Sequence, residues 1–240
     1  MKEGREALQP WSLTMALISL AAMTTWLVAP AWLTPAIATL SYALCALGPL
    51  GYLFVAIGGY RRWADRVTFV RVLLGVVLFA AHAFDPVAAW WKVGVATLII
   101  VLDGVDGAIA RRKGPTEHGA VFDMESDAFY LITMCGVAHL YLGVTPWAFV
   151  IGALRPLYVC LWAVLRFYRE PPSPNRKGSQ RGRSIHVALV VALIIDLAPW
   201  LPLAFKHACT AIAVALIAYS YSIDVTALWR GPPRAARSGA

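Results

Sequence analysis

The stretch that decides the fold reads Leu98-Ile-Ile-Val-Leu-Asp103-Gly-Val-Asp106-Gly-Ala-Ile-Ala-Arg111, followed after a short loop by Gly119-Ala-Val-Phe-Asp123-Met-Glu-Ser-Asp127-Ala-Phe-Tyr-Leu-Ile132. Four aspartates lie within 25 residues of a chain whose flanking segments are apolar. Carboxylates in such surroundings are costly, so a chain that groups four of them needs cations to neutralise them. A pair of divalent metal ions is the obvious candidate, and it indicates phosphate chemistry.

The composition is that of a membrane protein. Of the 240 residues, 60% are hydrophobic and 14% are charged, whereas a soluble domain is about 45–50% apolar and about 25% charged. Ten Trp and nine Tyr suit the aromatic belts of a bilayer interface. We therefore predict an all-α polytopic integral membrane protein.

Eight segments are long and apolar enough to span a bilayer, which takes about 20 residues. They cover roughly 11–29, 35–59, 67–84, 86–110, 120–142, 146–168, 184–204 and 207–228. The first two differ from the rest because they contain no Asp, Glu, Lys, Arg or His. We predict a two-helix N-terminal membrane anchor over 1–60, a six-helix catalytic bundle over 61–229 and a disordered tail over 230–240. We also expect removal of the anchor to leave turnover measurable.

The net charge of +8 could indicate nucleic acid, but the distribution of lysine and arginine indicates topology instead. Alternate loops or chain ends hold nearly all of these residues, and the remaining loops hold only Lys92 and Lys206. The positive-inside rule then predicts both termini and the aspartates on the cytoplasmic side, in a bacterial inner membrane, with no nucleic-acid partner. The four cysteines are scattered in apolar segments, which favours neither disulfides nor a zinc site.

Helical spacing groups the aspartates in pairs. Residues three or four apart share a helix face, so Asp103 and Asp106 point the same way, as do Asp123 and Asp127. The intervening loop lets the two helices run antiparallel, so the pairs can face each other across a narrow gap. Hard oxygen ligands of this kind favour a site for two ions of Mg²⁺ or Mn²⁺.

Two further residues indicate a diphosphate at this gap. Gly107 leaves bare backbone that a ligand can approach closely. Arg111 lies one turn further on, and its fork of N–H donors suits a phosphate oxygen. Metals, an arginine and exposed backbone together describe a diphosphate site.

The string resembles the signature of the CDP-alcohol phosphotransferases, which is Asp-x-x-Asp-Gly-x-x-Ala-Arg, a loop, and Gly-x-x-x-Asp-x-x-x-Asp. Every signature residue is present, although seven residues separate Arg111 from Gly119 where the family usually has eight. The signature positions are Asp103, Asp106, Gly107, Ala110, Arg111, Gly119, Asp123 and Asp127. The family also tends to have Asn-x-x-Thr-x-x-Arg before its first helix, and this chain has Asp65, Thr68 and Arg71 at those positions.

The resemblance implies a reaction and roles for these residues. A CDP-linked donor such as CDP-diacylglycerol would give its phosphoalcohol group to an acceptor hydroxyl, CMP would leave, and the enzyme would be a homodimer. By similarity, the four aspartates hold the metals and Asp127 is also the base. The nucleotide diphosphate would contact Thr68, Gly107, Ala110, Arg111 and Gly119. For Arg71 the simplest interpretation is an arginine that snorkels to the interface.

The acceptor site is less specified by the sequence. An arginine inside a membrane helix, Arg155, indicates a buried anionic partner, either an aspartate or a substrate phosphate. Arg166, Lys177 and Arg183 border the same face and could bind a phosphorylated headgroup or anionic lipid. His186 and Asp196 are expected to make structural polar contacts. The acceptor alcohol itself stays open.

Two other functions are compatible with an aspartate-rich membrane protein. A UbiA-like membrane prenyltransferase also binds Mg²⁺ through acidic motifs, but those motifs normally lie far apart in the sequence. A divalent-cation transporter could use four aspartates in a pore, but it has less need of Gly107 and Arg111. Both alternatives therefore rank below the phosphotransferase.

Overall fold

The computed structural model describes residues 2–28, 34–114, 116–166 and 180–229, and the described part is helical. Its eight α-helices are α1 (Lys2–Val28), α2 (Pro35–Ala56), α3 (Trp63–Phe84), α4 (Trp90–Lys113), α5 (Glu117–Leu142), α6 (Ala148–Leu165), α7 (Gln180–Leu197) and α8 (Leu203–Trp229). A short 3₁₀ turn over Gly59–Arg61 joins α2 to α3. The all-α class is confirmed, and each of the eight predicted segments is helical.

Six of these helices are long and apolar enough to cross a membrane, judged by length and composition: α1 from Pro10, α2, α3, α4, α6 and α8. The two exceptions have clear causes. Helix α5 carries acidic and polar residues in its first half, and α7 begins with a basic segment and contains a third charged residue, Asp196. The chain is thus an integral membrane protein in which α5 is an interior helix.

Helix α5 forms the centre of the bundle, and the first two helices pack directly on it. Every residue from Ala128 to Ala138 is buried, whereas most helices keep an exposed apolar face that suits lipid. Trp26 of α1 lies so close to α5 that a Cβ at Gly136 would be 2.8 Å from its indole. Small residues permit such close helix contacts in membranes.

The packing is therefore continuous across the proposed domain boundary near residue 60. Residues of α1 and α2, among them Met15, Trp26 and Tyr42, share one core cluster with Phe79 of α3 and Phe129 of α5. The separate anchor over 1–60 stays a prediction, but this contact leaves the two helices little independence from the catalytic bundle.

The two lysines that interrupt the charge alternation are both buried at hairpin turns. Lys92 Nζ donates to the carbonyl oxygens of Asp85 and Val87, the latter at 2.8 Å, and closes the α3–α4 turn. Lys206 Nζ donates to the carbonyl oxygen of Asp196 at 2.7 Å and closes the α7–α8 turn. Backbone carbonyl oxygens thus accept hydrogen bonds from both ammonium groups. These bonds offset the cost of burying the two lysines at the end of the bundle that otherwise lacks positive residues.

Candidate active site

The four aspartates converge from α4 and α5, as helical spacing predicted. Oxygens of Asp103, Asp106 and Asp123 lie within 4.8 Å of one another, close enough to ligate one cation. Asp106 is buried, whereas the side chains of Asp103, Asp123 and Asp127 keep 33%, 41% and 23% of their surface exposed. The cluster is therefore open to a ligand on one side, and its hard oxygen donors fit Mg²⁺ or Mn²⁺.

Arg71 of α3 lies at the centre of this cluster and contacts all four aspartates. Its Nη1 is 2.7 Å from Asp106 Oδ2 and 3.1 Å from Asp123 Oδ1. Its Nη2 is 2.7 Å from Asp103 Oδ1 and 2.5 Å from Asp127 Oδ1. The interpretation of Arg71 as a snorkelling arginine is wrong, because this side chain is only 5% exposed and faces the carboxylates.

The sequence contained a signal that could have placed Arg71. Thr68 and Arg71 are three residues apart on α3 and therefore share a face. Thr68 was already a candidate site residue, and its hydroxyl donates to Asp106 Oδ2 at 2.8 Å. The same face of α3 thus carries both side chains into the site.

The shortened loop between Arg111 and Gly119 still brings the two halves of the motif together. Helix α4 runs to Lys113, Gly114 turns the chain with a φ of 90°, and Thr116 caps α5 by accepting from the N–H of Gly119 at 3.2 Å. Arg62 donates to the Thr116 hydroxyl and ties the loop to the start of α3. The missing residue therefore does not prevent the aspartates from converging.

Gly119 allows α5 to approach the start of α3. A Cβ at this position would lie 2.9 Å from Asp65 Oδ1 and 3.0 Å from Thr116 Oγ1. Asp65 is buried at 6% exposure, and its Oδ2 has no hydrogen-bond partner among the described residues. Asp65 therefore lies beside the site, although the sequence assigned it no contact there.

We expect Gly119→Ala to lower the free energy of unfolding by about 1–3 kcal/mol, the usual cost of overpacking, and to reduce activity. Gly94→Ala on α4 is the matched control, since a Cβ there would meet nothing within 4 Å. Alanine also has a higher helix propensity than glycine, which favours the control variant Gly94→Ala. Thermal unfolding of both variants in detergent measures the difference, and equal stability of the two would contradict this account of Gly119.

The diphosphate candidates of α4 share one region of the site. The guanidinium of Arg111 folds back along its own helix, where its Nη1 would be 3.1 Å from a Cβ at Gly107. Arg111 is exposed and Ala110 is half-buried. The bare backbone of Gly107 thus lies directly beside the positively charged side chain of Arg111.

The proposed headgroup residues are not gathered at the aspartates. Arg155 pairs with buried Glu125 at 2.6 Å, and Glu125 lies about 200° around α5 from Asp123 and Asp127, given 3.6 residues per turn. Arg166 covers the ring of Trp162 at 5.5 Å, Arg183 is exposed near the start of α7, and Lys177 falls outside the described residues. Their acceptor role stays a prediction.

His186 of α7 lies nearer the carboxylates than the sequence indicated. Its Nε2 is 3.7 Å from Asp127 Oδ2, and it lines a small, solvent-open cleft beside Arg71 and Asp103. The rest of the lining comes from Ile99, Ile100, Tyr130, Val187 and Val190. The cleft is therefore polar where it meets the aspartates and apolar between α4 and α7.

Fold and site together define a multi-helix membrane protein with a carboxylate cluster suited to divalent metal ions. The sequence model of the CDP-alcohol phosphatidyltransferase family matches residues 61–221, so the chain belongs to that family. The match begins at the turn before α3 and ends within α8, and it includes every residue of the aspartate motif. Comparisons with curated proteins and with solved structures found no match.

Proposed function

We propose that the protein transfers a phosphoalcohol group, most simply a phosphatidyl group from CDP-diacylglycerol, to the hydroxyl of an acceptor alcohol and releases CMP in phospholipid biosynthesis. Membership of a CDP-alcohol phosphotransferase family supports the reaction class. The observation that carries the proposal is the convergence of four aspartates from α4 and α5 on one site that is open on one side.

In this proposal Asp103, Asp106, Asp123 and Asp127 hold two ions of Mg²⁺ or Mn²⁺. Such ions neutralise charge on a diphosphate and on the leaving nucleotide. Asp127 also accepts the proton of the attacking hydroxyl, since a base must lie within hydrogen-bond reach of that proton. The 23% exposure of its side chain is consistent with access to substrate.

The remaining polar residues would bind and orient the substrates. Arg111 donates to diphosphate oxygens above the bare backbone of Gly107 and beside Ala110, and Gly119 and Thr68 complete the nucleotide side of the site. Arg155, Arg166, Lys177 and Arg183 remain candidates for the acceptor headgroup. A phosphorylated acceptor would suit these cations.

A lipid donor is favoured over a small CDP-alcohol by the residues that line the narrow cleft between α4 and α7. Its polar end includes Asp103 and Arg71, and its apolar end includes Ile99 and Val190. A lipid with a charged headgroup likewise has one polar and one apolar part. Its diphosphate would bind at the metals while its acyl chains stay in apolar surroundings.

We infer from the alternation of lysine and arginine that both termini and the site face the cytoplasm of a bacterial inner membrane. Nucleotide substrates are found on that side. A homodimer is expected by analogy with the family. We do not favour a cation transporter, because it would have no need of Arg111 or of the bare backbone of Gly107, both of which a diphosphate would contact.

The test is an assay of purified protein in detergent with Mg²⁺, CDP-diacylglycerol and a panel of alcohols that includes glycerol phosphate, inositol phosphate, serine and choline. We expect CMP release with at least one acceptor, loss of release after chelation, and a new phospholipid detectable by mass spectrometry. Absence of CMP with every acceptor, or metal flux into liposomes without turnover, would refute the proposal.

A further inference from the structure

One buried guanidinium holds the four aspartates together in this structure. Arg71 stands on α3, outside the two helices that carry the aspartate motif, and it makes contacts of 2.5–3.1 Å with Asp103, Asp106, Asp123 and Asp127. It is 5% exposed, so solvent does little to weaken these contacts. The arginine thus ties α3 to both α4 and α5 at the site.

The charges at the site leave room for more positive charge. The four carboxylates carry four formal negative charges, and the guanidinium of Arg71 that contacts them carries one positive charge. Three of the oxygens that Arg71 contacts belong to Asp103, Asp106 and Asp123, the same three aspartates whose oxygens lie within 4.8 Å of one another. A divalent ion and the guanidinium of Arg71 therefore compete for the same carboxylates.

We propose that Arg71 is a built-in counter-cation of the metal site. In the metal-free protein its guanidinium keeps the four carboxylates together, and it gives up contacts to Asp103, Asp106 or Asp123 when divalent ions bind. The site is then preassembled without metal, at the cost of weaker metal binding. This inference rests on the metal site of the proposed function.

The sign of the effect follows from electrostatics. A unit positive charge a few ångströms from a divalent ion repels it strongly even at the higher effective dielectric of a partly open site. Removing that charge should therefore tighten metal binding by about tenfold or more. A residue that merely oriented the aspartates for the metal would have the opposite effect, since its loss would weaken binding.

The experiment compares Arg71→Gln with the unchanged protein and uses Mn²⁺ as the probe. We expect titration followed by electron paramagnetic resonance to show a Kd for Mn²⁺ lowered about tenfold. In EDTA the variant should unfold at a clearly lower temperature, because its four carboxylates then repel one another uncompensated, and Mn²⁺ should restore most of the loss. Arg61→Gln, which removes an exposed charge beside Tyr60, should change neither quantity.

Arg71→Lys keeps the charge but loses the planar fork of donors. It should bind Mn²⁺ within a few-fold of the unchanged protein, and its stability should depend on metal more steeply. If Arg71→Gln does not fold, Arg71→Lys decides the question. Its unfolding temperature should differ more between EDTA and Mn²⁺ than that of the unchanged protein does, and an equal difference overturns the proposal.

Failure of the inference and failure of the proposed function give different results. If the unchanged protein binds no Mn²⁺, the metal site itself is refuted. If it binds Mn²⁺ but Arg71→Gln binds equally or more weakly, the metal site stands and Arg71 is not a competing cation. Equal stability of Arg71→Gln and the unchanged protein in EDTA would also overturn the role of Arg71.

Discussion

Replacing Asp127 by asparagine is expected to lower the rate of CMP release by about 10²–10⁴-fold, the usual contribution of a general base. Asparagine matches the shape of aspartate but cannot take up the proton of an attacking hydroxyl. Metal binding should persist, because oxygens of Asp103, Asp106 and Asp123 already lie within 4.8 Å of one another. Loss of turnover with retained metal would therefore separate the base from the other three aspartates.

The measurement combines CMP release with Mn²⁺ titration of the same preparation. Glu117→Gln is a suitable control, since it neutralises an exposed carboxylate in the first turn of the same helix. Full turnover by Asp127→Asn would rule out the proposed base. Loss of both turnover and Mn²⁺ binding would instead assign Asp127 to the metals alone.

The second large effect concerns the first two helices. Trp26→Ala is expected to lower the free energy of unfolding by about 3–5 kcal/mol, the usual cost of removing a buried aromatic side chain. The indole is 3% exposed and lies within 6 Å of the rings of Tyr42, Phe79 and Phe149, measured between centroids. In a membrane such packing, rather than the hydrophobic effect, holds helices together.

Truncation of residues 1–59 should accordingly abolish turnover together with the folded bundle, which reverses the expectation drawn from the sequence. Thermal unfolding and size-exclusion profiles in detergent would show it. Leu27→Ala is the matched control for Trp26→Ala, because Leu27 is adjacent on α1 but 52% exposed. An active, monodisperse truncated protein would establish α1 and α2 as a dispensable anchor.

Local pattern was sufficient for the helices and for the aspartate cluster. Long apolar runs predicted all eight helices, since a backbone in a bilayer must satisfy its own hydrogen bonds. The spacing of Asp103 and Asp106, and of Asp123 and Asp127, predicted two pairs on two facing helices. Both inferences depend on residues close in the chain, so neither required knowledge of which helices are neighbours.

Contacts between helices far apart in the sequence could not be predicted in this way. The pairing of Arg155 with Glu125 depends on α6 lying against the face of α5 opposite the aspartates. The place of Arg71 depends on α3 lying beside both motif helices, and that of Trp26 depends on Gly136 opening a groove in α5. Helical periodicity predicts which side chains share a face of a helix. Only the packed bundle determines which residues of other helices that face contacts.

The four aspartates and their demand for cations can thus be read directly from the chain, because charge and spacing are local properties. The identity of the cation that meets them in this structure, the guanidinium of Arg71, is a property of the bundle. Packing brings α3 within 3.1 Å of carboxylates more than 30 residues away in the sequence, and no local pattern specifies that approach.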